Sequence, residues 1–130
     1  MHLHLQQITK SYGSNSHAKT VLRDICVDIN GGQFVSLLGP SGCGKTTLLT
    51  IIAGFQKASG GILSLNGKEI DGPGPDRGFV FQDFALFPWM TVRQNILFPM
   101  QQQRMPKSQQ QERLQQLLSL AQLHGAEDLF

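Results

Sequence analysis

The chain has 130 residues, 40% hydrophobic and 15% charged, enough for one domain with a core and too few for two of ordinary size. Its formal net charge of +2 is spread thinly, with no Lys/Arg cluster, which argues against a nucleic-acid-binding surface. No run approaches the roughly eighteen apolar residues of a membrane span, and Met1 to Gln7 carries neither the basic nor the apolar region of an export signal.

In chain order, Leu3, Leu5 and the stretch to Ile8 predict a short edge strand. Ile25, Val27 and Ile29 alternate with Asp24, Cys26 and Asp28, predicting a half-buried strand that ends in a turn at Asn30-Gly31-Gly32. Phe34 to Leu38 is nearly continuous and apolar, which predicts a strand covered on both faces. A helix is expected over Thr46 to Ala53, with Gly54 as its stop. Gly60-Gly61 then reads as a turn, Ile62 to Leu65 as a strand, and Asn66-Gly67 as a hairpin turn into Lys68-Glu69-Ile70.

Gly72 to Pro75 is a rigid loop, and Gly78 to Phe81 a further apolar strand ending at Gln82. Val92 to about Phe98 looks helical until Pro99. Ser108 to His124 repeats Leu at 114, 117, 118, 120 and 123, an amphipathic helix with Ser108 as N-cap and Gly125 as stop. The glutamines crowding 101 to 116 are read as a solvated helix face plus linker.

The chemistry concentrates at Gly39-Pro40-Ser41-Gly42-Cys43-Gly44-Lys45-Thr46. This is the pattern G-x-x-x-x-G-K-[ST], in which glycines let backbone N–H groups turn inward around phosphate oxygens. Lys45 would bring charge to the β- and γ-phosphates, Thr46 a hydroxyl to Mg²⁺, and the following helix its N-terminal dipole. Such a match arises by chance in well under about 1% of chains this long, and here it lies between an apolar run and a predicted helix.

The other candidates are weaker alone. Gln82 ends an apolar run, where ligands bind in open α/β sheets, yet a strand-terminal glutamine is more often an ordinary surface residue. Tyr12, in the polar stretch from Lys10 to Ser14, could stack on an adenine ring or simply pack in a turn. Phe84, Leu86, Phe87, Trp89 and Met90 are either local core or an anchor patch for a partner. Cys26 and Cys43 lack metal-ligand spacing, and reduced thiols in a cytosolic chain are expected.

Taken in order, Tyr12, the Gly39 to Thr47 loop, Gln82 in Val80-Phe81-Gln82, and the segment Leu86 to Asn95 resemble the ATP-binding subunit of an ATP-binding-cassette (ABC) importer. The segments Gly39 to Leu49, Ile52 to Phe55, Ile70 to Gly74 and Arg77 to Gln82 are similar to taurine-importer ATPases, and nitrate and aliphatic-sulfonate importers share much of them, including Pro88-Trp89.

The resemblance implies an α/β P-loop NTPase. An antiparallel β subdomain and P-loop core would occupy 1–100, and the start of a helical subdomain 101–130. It implies ATP on Gly39, Pro40, Ser41, Gly42, Cys43, Gly44, Lys45, Thr46 and Thr47 with Tyr12 against adenine. Mg²⁺ would be held by Thr46 and Gln82, and Lys45 and Gln82 would take catalytic roles. Implied partners are a transmembrane permease docked on the Gln82 to Val92 loop, a second ATPase copy, and indirectly a solute-binding protein. The location would be peripheral, on the cytoplasmic face of the membrane.

The LSGGQ-type signature, Walker B acid pair and switch histidine of that family are not in the sequence. A partial cassette that binds ATP without hydrolysing it is therefore expected. A small-molecule P-loop kinase and a non-catalytic nucleotide-binding module remain the alternatives.

Overall fold

Leu3, Leu5 and Ile8 are buried on one face of a long strand, β1 (His2–Tyr12). The computed structural model describes residues 1–13, 18–83 and 85–130, so Ser14 and Phe84 lie outside the described residues. The chain divides into two units, Met1–Val80 and Phe81–Phe130.

In the first unit β1 pairs antiparallel with β2 (Lys19–Asn30) and with β3 (Gly60–Leu65), and β3 pairs with the short β4 (Lys68–Glu69). The order is β2-β1-β3-β4. The predicted short edge strand is thus an interior strand of 11 residues. Hydropathy alternation reports the buried face of a strand but not how many neighbours its backbone has.

The spacing Leu3, Leu5, Ile8 departs from strict alternation because a bulge intervenes. Between Leu5↔Val27 and Ile8↔Ile25 the first strand advances three residues while the second advances two. Gln7 takes the extra place at φ 51°, which returns Ile8 to the buried face. Gly61, at φ 93°, backs onto this bulge, where a Cβ would lie 2.4 Å from the Gln7 carbonyl oxygen. The Gly60-Gly61 pair expected to form a turn therefore opens strand β3 instead.

Asn66 and Gly67 have φ of 52° and 77°, the pair of positive values that a tight hairpin requires. Helix α1 (Lys45–Ile52) contributes Leu48 and Ile51 to a core with Leu3, Leu5, Ile8, Leu22, Leu63 and Leu65. After its C-cap Ala53, the N–H groups of Gly54 and Phe55 donate to the carbonyls of Ile51 and Thr50, a Schellman stop on glycine.

Two expected strands are not formed. Phe34 to Leu38 and Gly78 to Phe81 pair in no sheet among the described residues. Phe34, Leu38 and Val80 are 94%, 92% and 95% exposed. An apolar run becomes a buried strand only with hydrogen-bonding neighbours and a covering layer on each face, and the β1–β4 sheet supplies neither to these segments.

In the second unit α2 (Val92–Gln102) begins at Thr91 with a complete capping box: Gln94 N–H donates to the Thr91 hydroxyl, and Thr91 N–H to the Gln94 side chain. The helix continues through Pro99 rather than stopping before it. It ends at Gln103, where Met105 N–H reaches the Met100 carbonyl and Arg104 takes φ 55°.

Helix α3 (Lys107–Leu120) begins at Pro106, not Ser108, and is capped by Ala121 rather than ending at Gly125. Gln122 at φ 55° and the Leu123 N–H to Leu118 carbonyl bond form its Schellman stop. Met100, Leu114 and Leu118 are buried, while Leu120 faces solvent.

Gly61→Ala should cost about 2 kcal/mol or more, because it adds a left-handed residue to a close backbone approach. Urea denaturation should show a lower midpoint with little change in slope.

Candidate functional site

The glycine loop joins the exposed 34–38 segment to α1. Gly44, the N-cap of α1, is left-handed at φ 99° and makes no side-chain cap. A Cβ on it would lie 2.8 Å from Leu22 Cδ2 and 3.2 Å from the Val21 carbonyl oxygen. Only glycine lets the loop sit this close to β2. The helix also has no acidic residue in its first turn. Its first N–H groups have no partner inside the helix, so this end presents donors and positive dipole to an anion.

Lys45 folds back over the loop. Its Nζ donates to the carbonyls of Gly39 and Pro40, both at 2.7 Å, and lies 3.5 Å from Cys43 Sγ. All three ammonium donors are thereby directed at the loop, the one to sulfur being the weakest. Thr46 is exposed, and the half-buried Thr47 accepts at its carbonyl from the Thr50 hydroxyl at 3.0 Å. Cys26 and Cys43 are free thiols, with Cys43 turned toward Gly39.

Tyr12 ends β1 and is 40% exposed. Its hydroxyl donates to Gln56 Oε1 at 2.8 Å, and Lys10 Nζ lies 5.1 Å from its ring centroid. Tyr12 pairs with Lys19 and Lys10 with Leu22 across the β1–β2 ladder. The same short stretch of β2 that carries the partner of Tyr12 also receives Gly44. The aromatic ring and the loop, 27 residues apart at the nearest glycine in sequence, are thus brought to one end of the sheet. The Tyr12–Gln56 hydrogen bond and the cation over the ring had no signal in the sequence.

Gln82 is exposed and belongs to the second unit. In that unit Asn95 organises the aromatic loop. It accepts from Phe87 N–H at 2.9 Å and donates Nδ2 to the carbonyls of Phe87, Met90 and Thr91. Phe87 packs edge-on against Phe98 at 4.8 Å and against Trp89 at 5.5 Å. Trp89 and Leu86 stay 68% and 65% exposed. The loop is therefore split: Phe87 is local packing, whereas Leu86 and Trp89 are surface.

Val92 and Arg93 N–H groups donate to the carbonyls of Leu129 and Glu127, and Arg93 pairs with Asp128 at 3.3 Å, closing the unit on itself. Among the described residues, no helix is long and apolar enough to cross a membrane.

Asn95→Ala removes the side-chain hydrogen bonds that satisfy partly buried backbone groups at Phe87, Met90 and Thr91 and should cost about 2 to 4 kcal/mol. Thermal unfolding followed by the fluorescence of Trp89 should show a lower midpoint. An unchanged midpoint would remove Asn95 from its organising role.

Comparison with known proteins bears on this geometry. A family model described as "ABC transporter" matches residues 22–129. The chain is 40% identical over 127 residues to the aliphatic sulfonates import ATP-binding protein of Bacillus licheniformis, covering 98% of this chain and 49% of that protein. It is 41% identical over 122 residues to the taurine import ATP-binding protein of Burkholderia pseudomallei (94% and 47% covered). It is 40% identical over 122 residues to the spermidine/putrescine import ATP-binding protein of Thermobifida fusca (92% and 32% covered).

The chain thus spans about half the length, or less, of the curated relatives it matches. A dimeric ATP-binding cassette in a post-hydrolysis state, bound to ADP and Pi, is similar with a TM-score of 0.81 at 28% identity, over 97% of this chain and 60% of that one. The chain belongs to the ABC transporter family, and its fold is that of the N-terminal part of the ATP-binding cassette.

Proposed function

We propose that this chain is the ATP-binding part of an importer's ATPase subunit, with the phosphates held by Gly39, Pro40, Ser41, Gly42, Cys43, Gly44, Lys45, Thr46 and Thr47. The observation that carries this reading is the start of α1. A left-handed glycine seated on β2 and a helix end without a side-chain cap leave N–H donors for an anion. Lys45 adds a mobile positive charge, exchanging a loop carbonyl for a phosphate oxygen. Tyr12 supplies a half-exposed ring for adenine, held in orientation by Gln56.

The Thr46 hydroxyl and the Gln82 amide oxygen are hard oxygen donors of the kind Mg²⁺ takes. When bound, Mg²⁺ would offset phosphate charge and fix the geometry for in-line attack. In this reading Lys45 and Gln82 are the catalytic contributors.

The partners proposed are a second ATPase copy, a transmembrane permease seated on the Gln82 to Val92 loop, and a solute-binding protein reached through the permease. This places the chain peripherally at the cytoplasmic face of the membrane. The exposed Leu86 and Trp89 support the permease contact. Taurine, or a related sulfonate or nitrate, is the proposed solute. Support comes from the Arg77 to Gln82 segment and from the names of two relatives, although a polyamine importer is equally similar in identity.

Lys45→Ala should weaken binding of a fluorescent MgATP analogue between about 10- and 100-fold, the range expected from losing a charge-assisted contact. Unaltered affinity would overturn the phosphate role of the loop. Trp89→Ala should weaken co-purification with the permease more than it weakens ATP binding, and the opposite order would remove the loop from the interface.

A further inference from the structure

The outer face of the sheet carries a second group of chemically competent side chains. Leu3 and Leu5 turn inward from β1, so His2 and His4 share the opposite face two residues apart. Across the ladder His4 stands directly opposite Asp28 of β2, and His2 opposite Asn30. His2 Nε2 lies 3.0 Å and His4 Nδ1 2.6 Å from the same carboxylate oxygen, Asp28 Oδ1. The two imidazoles stack with centroids 6.0 Å apart and planes inclined by 30°. One potential ligand atom from each of the three residues falls within 4.8 Å of the others.

We propose that His2, His4 and Asp28 bind a divalent transition-metal ion, with Zn²⁺ as the fitting species, and that the ion clasps the start of β1 to the end of β2. Two imidazole nitrogens and one carboxylate oxygen are the borderline donors that zinc takes in three-ligand sites, with water completing the shell. The hard cations Ca²⁺ and Mg²⁺ want more oxygens than are offered here.

The geometry needs a small opening at Asp28 and a closing of the two imidazole nitrogens, within 4.8 Å of each other, by up to about 1.5 Å. Ligand atoms about 2.0 to 2.1 Å from a tetrahedral ion stand roughly 3.3 Å from one another. The His4–Asp28 pair must therefore part by under about 1 Å, and the His2–Asp28 pair by less. All three side chains are partly or largely exposed, so rotamer adjustment suffices and no core residue moves. The backbone is already set, because the antiparallel register fixes His4 against Asp28 before any ion arrives.

On binding, Zn²⁺ replaces the two N–H···O contacts: each imidazole ligates as its other tautomer, His2 through Nε2 with its proton moved by way of solvent to Nδ1, and His4 through Nδ1 with its proton moved to Nε2. No residue of the Gly39 to Thr47 loop takes part, so the site stands or falls independently of the nucleotide reading.

The test is calorimetric titration of the tag-free chain with ZnCl₂, alongside His4→Gln and Asp28→Asn. The expected result is one ion per chain, with each substitution weakening binding more than about tenfold. Zinc at a hundred-fold excess over its Kd should raise the Tm of the parent chain by about 10 °C and leave both variants unchanged.

Because the substituted side chains lie outside the core, each variant should keep the parent's far-UV circular dichroism. Should one variant differ, the other decides. The absence of binding by the parent would overturn the proposal. So would binding of equal strength in the folded variants, which would assign the ion to Cys26, Cys43 or His124.

Discussion

The approach of Gly44 to strand β2 is the constraint on which the loop end of the first unit depends. The chain there must turn left-handed, start a helix and pass within contact distance of Leu22 and the Val21 carbonyl. Any side chain would push the loop off the sheet and carry α1 with it. Leu48 and Ile51 sit one and two turns further on and pack into the core under β1 and β3. The glycine loop is thus positioned from two directions: from below by a glycine where nothing else fits, and from behind by a helix anchored on apolar burial.

A second consequence is the placement of Tyr12. Its strand pairs with the same end of β2 that Gly44 rests on, and its hydroxyl is tied to Gln56 just past α1. Ring, loop and helix therefore move together as parts of one packed body. The β-bulge at Gln7 contributes to this arrangement from a distance. It shifts the inward face of β1 by one residue, so Leu3 and Leu5 before it and Ile8 after it all reach the core. Gly61 supplies the space that the bulge needs.

The second unit follows a different logic, in which a polar side chain rather than an apolar core shapes the surface. Asn95 satisfies backbone groups at Phe87, Met90 and Thr91 from the first turn of α2. The capping box at Thr91 fixes that turn. With its backbone paired in this way, the loop can leave Leu86 and Trp89 on the surface without collapsing, while Phe87 is retained by Phe98. Exposed aromatic groups on a hydrogen-bonded loop are pre-ordered, which lowers the entropic cost of any contact they make.

Much of this was legible in the residues themselves. The glycine turn into α1, the Asn66-Gly67 hairpin, the half-buried face of β2 and the burial of Leu114 and Leu118 follow from local steric and periodic rules, which need no knowledge of neighbours. Other features depended on distant partners. Pro99 continues α2 although its type argues for a break, and the stop of α3 falls on Gln122 instead of Gly125, because tertiary packing outweighs such local preferences. Phe34 to Leu38 and Gly78 to Phe81 carry the hydropathy of buried strands, yet a strand exists only through the strands beside it.

From the residues alone came the glycine loop ahead of α1, because Gly42 and Gly44 take positive φ at little steric cost. What stands next to that loop, and the meeting of His2, His4 and Asp28 on the outer face of the sheet, came from the packed structure. Those juxtapositions come from strand register, a property of pairs of distant segments that neither segment specifies alone.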